Sequence, residues 1–85
     1  MTFNDAAIFA FLLDGYKASD QIVHSTDSNI TYFGFIQKDG RWFIQRQQIS
    51  GSNIYWRYYK GSTGYPTALA ARESLSYDYF DEVFK

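Results

Sequence analysis

The chain has 85 residues, a formal net charge of −1 from eight Lys+Arg against nine Asp+Glu, no Cys and one Met. This excludes a disulfide framework and a Cys-based zinc site, and leaves no basic excess to draw nucleic-acid phosphates. Hydrophobic residues make up 46%, too many for a disordered tail, and aromatics 21%, as eight Phe, eight Tyr and two Trp, so a domain this short is expected to keep some rings at its surface, against a partner.

Residues 1–13 read as an N-terminal apolar arm or short helix, and residues 14–85 as one small α+β domain. The apolar run Ala6 to Leu13 is far shorter than the roughly 20 residues of a bilayer span. Asp5 precedes it where a signal peptide carries basic residues, so no secretory leader and no membrane contact are expected. Asn4 or Asp5 suits the cap of a helix over 5–13. Prominent Ala and Leu favour that helix, while the continuity of the run fits a buried strand almost as well. Gly15 ends the segment.

Residues 16–29 are polar, with Tyr16 and Ile22-Val23 as interruptions. Their Ser, Asp and Asn side chains favour turns, which predicts a loop carrying at most one short strand. Strands are expected at 30–38 and 41–49, joined by a two-residue turn at Asp39-Gly40 of the type that needs positive φ at both central positions. Tyr32, Gly34 and Ile36 share one face of the first strand, and Phe33 and Phe35 the other. Trp42, Ile44 and Arg46 alternate with Arg41, Phe43 and Gln45 on the second. Aromatics on both faces predict a sheet covered on both sides, and Gly34 marks a bulge or a close backbone approach. A turn at Ser50 to Asn53 leads into a strand over Ile54 to Tyr59. The expected core is therefore a three-stranded antiparallel β-meander with one or two short helices.

Lys60 to Gly64 reads as a flexible loop. Pro66 suits the first turn of a helix, and Ala68, Leu69, Arg72 and Leu75 lie on one helical face within it. Residues 76–85 support two readings, since Tyr77, Tyr79 and Asp81 alternate as in a strand while Phe80 and Phe84 have helical spacing.

Chemistry-bearing groups are few. His24 is the single histidine and has no flanking motif that would orient a base or complete a metal site, so it reads as a solvated loop residue. Asp78, Asp81 and Glu82 read as a solvated acidic tail. Lys60-Gly61-Ser62-Thr63 has the wrong residue order for a phosphate-binding loop. No catalytic residue, metal ligand or cofactor is expected. The aromatic residues carry more weight, interleaved with basic ones in Arg41-Trp42-Phe43 and in Tyr55 to Lys60. Such rings stack on bases or sugars, but the net charge disfavours nucleic acid, and a core plus a protein interface explains them most simply. The interface residues are expected to be Trp42, Tyr55, Trp56, Tyr58, Tyr59, Tyr77, Tyr79, Phe80 and Phe84.

From Asp14 to Phe84 the order of residues resembles a family of small bacteriophage virion proteins and tail-associated segments. The resemblance lies in Asp14 to Asp20, in Tyr32-Phe33-Gly34-Phe35, in Asp39-Gly40-Arg41-Trp42-Phe43-Ile44 and in Tyr58-Tyr59-Lys60-Gly61. It continues through Tyr65-Pro66-Thr67-Ala68, Ala71 to Tyr77, and Tyr79-Phe80. Leu69 and Ala71 depart from it, standing where the family pattern has Trp and Asn, which removes one aromatic anchor. The resemblance implies a non-enzymatic structural protein of the virion, made in the host cytoplasm and assembled with other virion proteins and with itself as a homo-oligomer. Its place would be the tail, the neck, a fibre attachment or a capsid decoration. Two alternatives stand beside it: a carbohydrate-binding module on a tail fibre, taking surface glycan near Trp42 and Trp56, and a small phage inhibitor of a host protein.

Overall fold

The computed structural model describes residues 15–84; the arm or helix expected over 1–13 lies outside them. These residues form β1 (Tyr16–Val23), β2 (Ile30–Gln37), β3 (Trp42–Ser50) and β4 (Asn53–Gly61), then α1 (Tyr65–Ala70), a 3-10 turn at Arg72–Ser74, and α2 (Phe80–Val83). The strands make one antiparallel sheet in sequence order.

The expected three-stranded meander is thus a four-stranded sheet, and the added strand is β1. Its sequence hides it. Lys17, Ala18 and Ser19 are all exposed, so the two-residue alternation of a half-buried strand is missing. The register with β2 also slips between Ala18 and Asp20, leaving Ser19 as the extra residue of a bulge. A bulge reverses the facing of the residues after it. Ala18 pairs with Phe35 on one face, and Asp20, two residues on, pairs with Gly34 on the other.

The β2–β3 turn also differs from expectation. Gly40 donates its N–H to the Gln37 carbonyl at 2.9 Å, and Gln37 donates to the Arg41 carbonyl at 2.7 Å. Gly40 has φ +97° and no non-glycine described has a positive φ. The connection is a three-residue one, Lys38 to Gly40, closed by a single left-handed glycine. Asp39 is spared the strain that a two-position positive-φ turn would place on its Cβ.

Both faces of the sheet are apolar, as the alternation in β2 and β3 predicts. One carries Phe33, Phe35, Phe43 and Tyr58, with Tyr16, Trp56, Val83 and Phe84 against them. Phe35 and Phe43, cross-strand partners, stack with centroids 4.6 Å apart, and Tyr16 meets Phe43 edge-on at 5.0 Å. The other face carries Tyr32, Trp42, Ile44 and Tyr65, flanked by Ile36, Tyr59, Ala68, Leu69, Leu75 and Tyr77. The helical face expected from Ala68, Leu69 and Leu75 therefore packs here, although α1 stops at Ala70 and the chain tightens into the 3-10 turn.

Gly34 is where α1 meets the sheet. A Cβ on Gly34 would overlap the Tyr65 hydroxyl. That hydroxyl, lying over bare backbone, donates to Asp20 Oδ2 at 2.7 Å, the oxygen that also accepts from Ser19 Oγ at 2.9 Å. Burial, and then donation to a carboxylate, raise the Tyr65 pKa well above its usual value. The β1 bulge, the bare Gly34 and the Tyr65 ring form one unit.

From Leu75 the chain crosses the β4 edge. Asp78 and Tyr58 exchange both backbone hydrogen bonds, at 2.8 and 2.9 Å. The chain then turns into α2, which sets Phe84 edge-on against Phe43 at 5.4 Å and Phe80 edge-on against Tyr58 at 5.5 Å. Of residues 76–85, the described 76–84 realise both readings in turn, extended through Asp78 and helical from Phe80.

Gly34→Ala is expected to lower stability by about 1–3 kcal/mol, the usual range for overpacking. In a Tyr65→Ala background the same change is expected to cost less than about 1 kcal/mol, since the ring it displaces is gone. Chemical denaturation of the four forms checks this.

Candidate interaction surface

The aromatic residues singled out in the sequence divide into two groups. Trp42 and Tyr58 are buried, at 4% and 5% exposure. The Trp42 indole N–H donates to the Thr63 carbonyl at 2.8 Å, and Tyr58 Oη accepts from Gln45 Nε2 at 3.2 Å. Both are core residues, and a glycan platform that includes Trp42 has no ring to offer there. Trp56, Tyr59, Tyr77 and Phe84 are half-buried. Tyr77 fills the gap between sheet and 3-10 turn: its ring lies 5.8 Å from Tyr32, and its hydroxyl donates to the Arg72 carbonyl at 2.9 Å. Burial, then the neighbouring Tyr32, push the Tyr77 pKa up, while Arg46 and Arg72 pull against them.

The remaining residues, Tyr55, Tyr79 and Phe80, are exposed at 41%, 57% and 39%. They lie along the β4 edge, with Ile54 beside them at 40%. Tyr55 and Arg57 share a face of β4 by alternation. The Arg57 guanidinium lies 4.1 Å from the Tyr79 ring centroid and 6.0 Å from that of Tyr55, and its Nη1 donates to the Trp56 carbonyl at 2.9 Å. On the neighbouring strand, Arg46 is the cross-strand partner of Arg57 and lies over Tyr77 at 5.2 Å. Like charges opposite one another in a sheet are unfavourable. The rings hold them there, since a guanidinium over an aromatic face gains cation–π attraction. Tyr, Trp and Arg at a partly desolvated edge are the residue types enriched at protein interfaces. The aromatic pattern points to Tyr55, Tyr79 and Phe80. It does not point to Arg57 and Arg46, although the Tyr55-x-Arg57 spacing on a strand is a signal for the first of them.

His24 is not the solvated loop residue expected. Its side chain is 20% exposed and its Nε2 lies 3.5 Å from Glu73 Oε1. Glu73 is held more firmly by Ser25, whose N–H donates to Oε2 and whose Oγ donates to Oε1, both at 2.8 Å. The cluster ties the β1–β2 loop to the 3-10 turn. The Ser25 N–H, then its hydroxyl, hold the Glu73 carboxyl below its usual range. Among the described residues no group of His, Cys, Asp and Glu is arranged to hold a metal ion, and no helix is long and apolar enough to cross a membrane.

No family model, no curated protein and no solved structure matches this chain.

Because Glu73 has a depressed folded pKa, its contribution is present above its ordinary value of 4.5 and lost as pH falls through the lower folded value. Thermal melts from neutral pH down to about 3 are expected to show a shallower acid loss for Glu73→Gln than for wild type. Coincident slopes would show that the carboxylate is not so held.

Proposed function

We propose that this chain is a non-enzymatic structural subunit that works by protein–protein assembly, in a phage particle. The observation that carries the assembly reading is the β4-edge platform, where Tyr79 and Tyr55 stay in water and grip Arg57. A domain of this size has little net stability to spare, and rings left exposed forfeit stabilisation that burial against a partner returns. The cluster also has the composition of an interface hot spot. The particle itself is supported by the resemblance of Asp14 to Phe84 to virion and tail-associated proteins. The tie of His24 and Glu73 to a loop and a turn suits a structural rather than a catalytic use of the lone histidine.

Mass spectrometry of purified particles of the encoding phage is expected to find the chain at a fixed copy number. Tyr79→Ala is expected to reduce that copy number at least about tenfold, the effect of losing a typical hot-spot ring, with little change in melting temperature. Absence of the wild-type chain from particles would overturn the particle reading. Normal incorporation of Tyr79→Ala would overturn the platform.

A further inference from the structure

Arg46 and Arg57 set two cations side by side on one face of the sheet. They are cross-strand partners, each seated on a tyrosine ring. Among the described residues, the ion pairs His24–Glu73 and Arg41–Asp39 leave both of these arginines out. Glu73, an acid on that side of the sheet, is committed to Ser25 and His24. The chain as a whole is slightly acidic, so the balancing charge lies elsewhere. Part of it is concentrated where the C-terminal segment has crossed the β4 edge, with Asp78 and Asp81 exposed beside the exposed ring of Phe80.

We propose that the Arg46–Arg57 pair, rimmed by Tyr55 and Tyr79, is the receptor for Asp78, Phe80 and Asp81 at the C-terminal turn of a second copy of this chain. The proposal rests on the assembly reading above and names the partner. Charge complementarity selects the occupant. A guanidinium stacked on a ring still presents in-plane N–H groups to a carboxylate, Arg57 spending Nη1 on the Trp56 carbonyl, and the donor turn sets an exposed Phe80 beside its carboxylates to meet the exposed Ile54 and Tyr55. The arginines lie with Tyr77 and Tyr79 on the Tyr32–Trp42 side of the sheet, while Phe80 packs on Tyr58 of the other face, so the contact is head-to-tail and propagates into a ring or a filament. Placing two copies with like faces together would instead bring arginine against arginine.

The test is a charge-swap pair followed by sedimentation. Arg46→Glu with Arg57→Glu removes the receptor, and Asp78→Lys with Asp81→Lys removes the donor; melting curves establish that each variant folds. Wild type is expected to form species larger than a dimer, weakening as salt rises. Each variant alone is expected to associate at least about tenfold more weakly, the effect of a lost close charge pair. Mixed together, the two variants retain one intact receptor and one intact donor and are expected to form a 1:1 dimer that grows no further. A monomeric wild-type chain, or variants that associate as wild type does, would overturn the second copy as occupant. Loss of association in the receptor variant alone, with no dimer on mixing, would assign the arginines to a different anion and overturn it too. None of these results touches incorporation of Tyr79→Ala into particles, so the two readings fail separately.

Discussion

The paired hydrogen bonds between Tyr58 and Asp78 are the constraint on which the C-terminal third of the molecule depends. The sheet is aromatic on both faces, and a sheet apolar on both faces must be covered on both. The segment after β4 serves both. It lays α1 and the 3-10 turn on the Tyr32–Trp42 face, then has to change sides. Crossing at the β4 edge lets it do so while occupying backbone groups that an edge strand would leave open. The extended stretch at Asp78 is the crossing point, and α2 sets Phe84 on the opposite face.

The arginine and tyrosine cluster at the β4 edge results from that crossing. Passing around β4 brings Tyr79 over Arg57, and Arg57 is held between Tyr79 and Tyr55 while it caps the Trp56 carbonyl. The same turn leaves Phe80, Asp78 and Asp81 exposed. Topology therefore gives the molecule two unlike surfaces, one built on arginines and one on carboxylates. The opposite edge is treated differently. There the Ser19 bulge and the inward-turned Asp20 interrupt the regular ladder of β1, a pattern that discourages further strands from adding.

Features that rest on local alternation are legible in the sequence. The facing of Phe33, Phe35 and Phe43 against Tyr32, Trp42 and Ile44 can be read directly, whereas the group against Gly34 is the Tyr65 side chain, not the bulge or backbone approach that a strand glycine signals. β1 escapes such a reading because a bulge and three exposed residues in a row erase the two-residue period. The Asp39-Gly40 turn is legible in place but not in type, since only the glycine takes positive φ. Residues 76–84 look ambiguous because they are extended and helical in succession. Contacts distant in sequence leave no trace at all: Tyr65 on Asp20, and Glu73 on Ser25 and His24, are visible only once the fold brings them together. Of the residues expected at an interface, burial removes Trp42 and Tyr58, which a pattern of aromatics cannot distinguish from exposed neighbours.

The most direct measurement is native-state hydrogen exchange at the backbone amides of Tyr58 and Asp78. If the crossing holds the fold together, both are expected to exchange only with global unfolding, at the same free energy as amides in the β2–β3 ladder. Exchange of both at the rate of an exposed loop, while β2 and β3 stay protected, would show that the C-terminal segment is an appendage and would contradict the central role given to it.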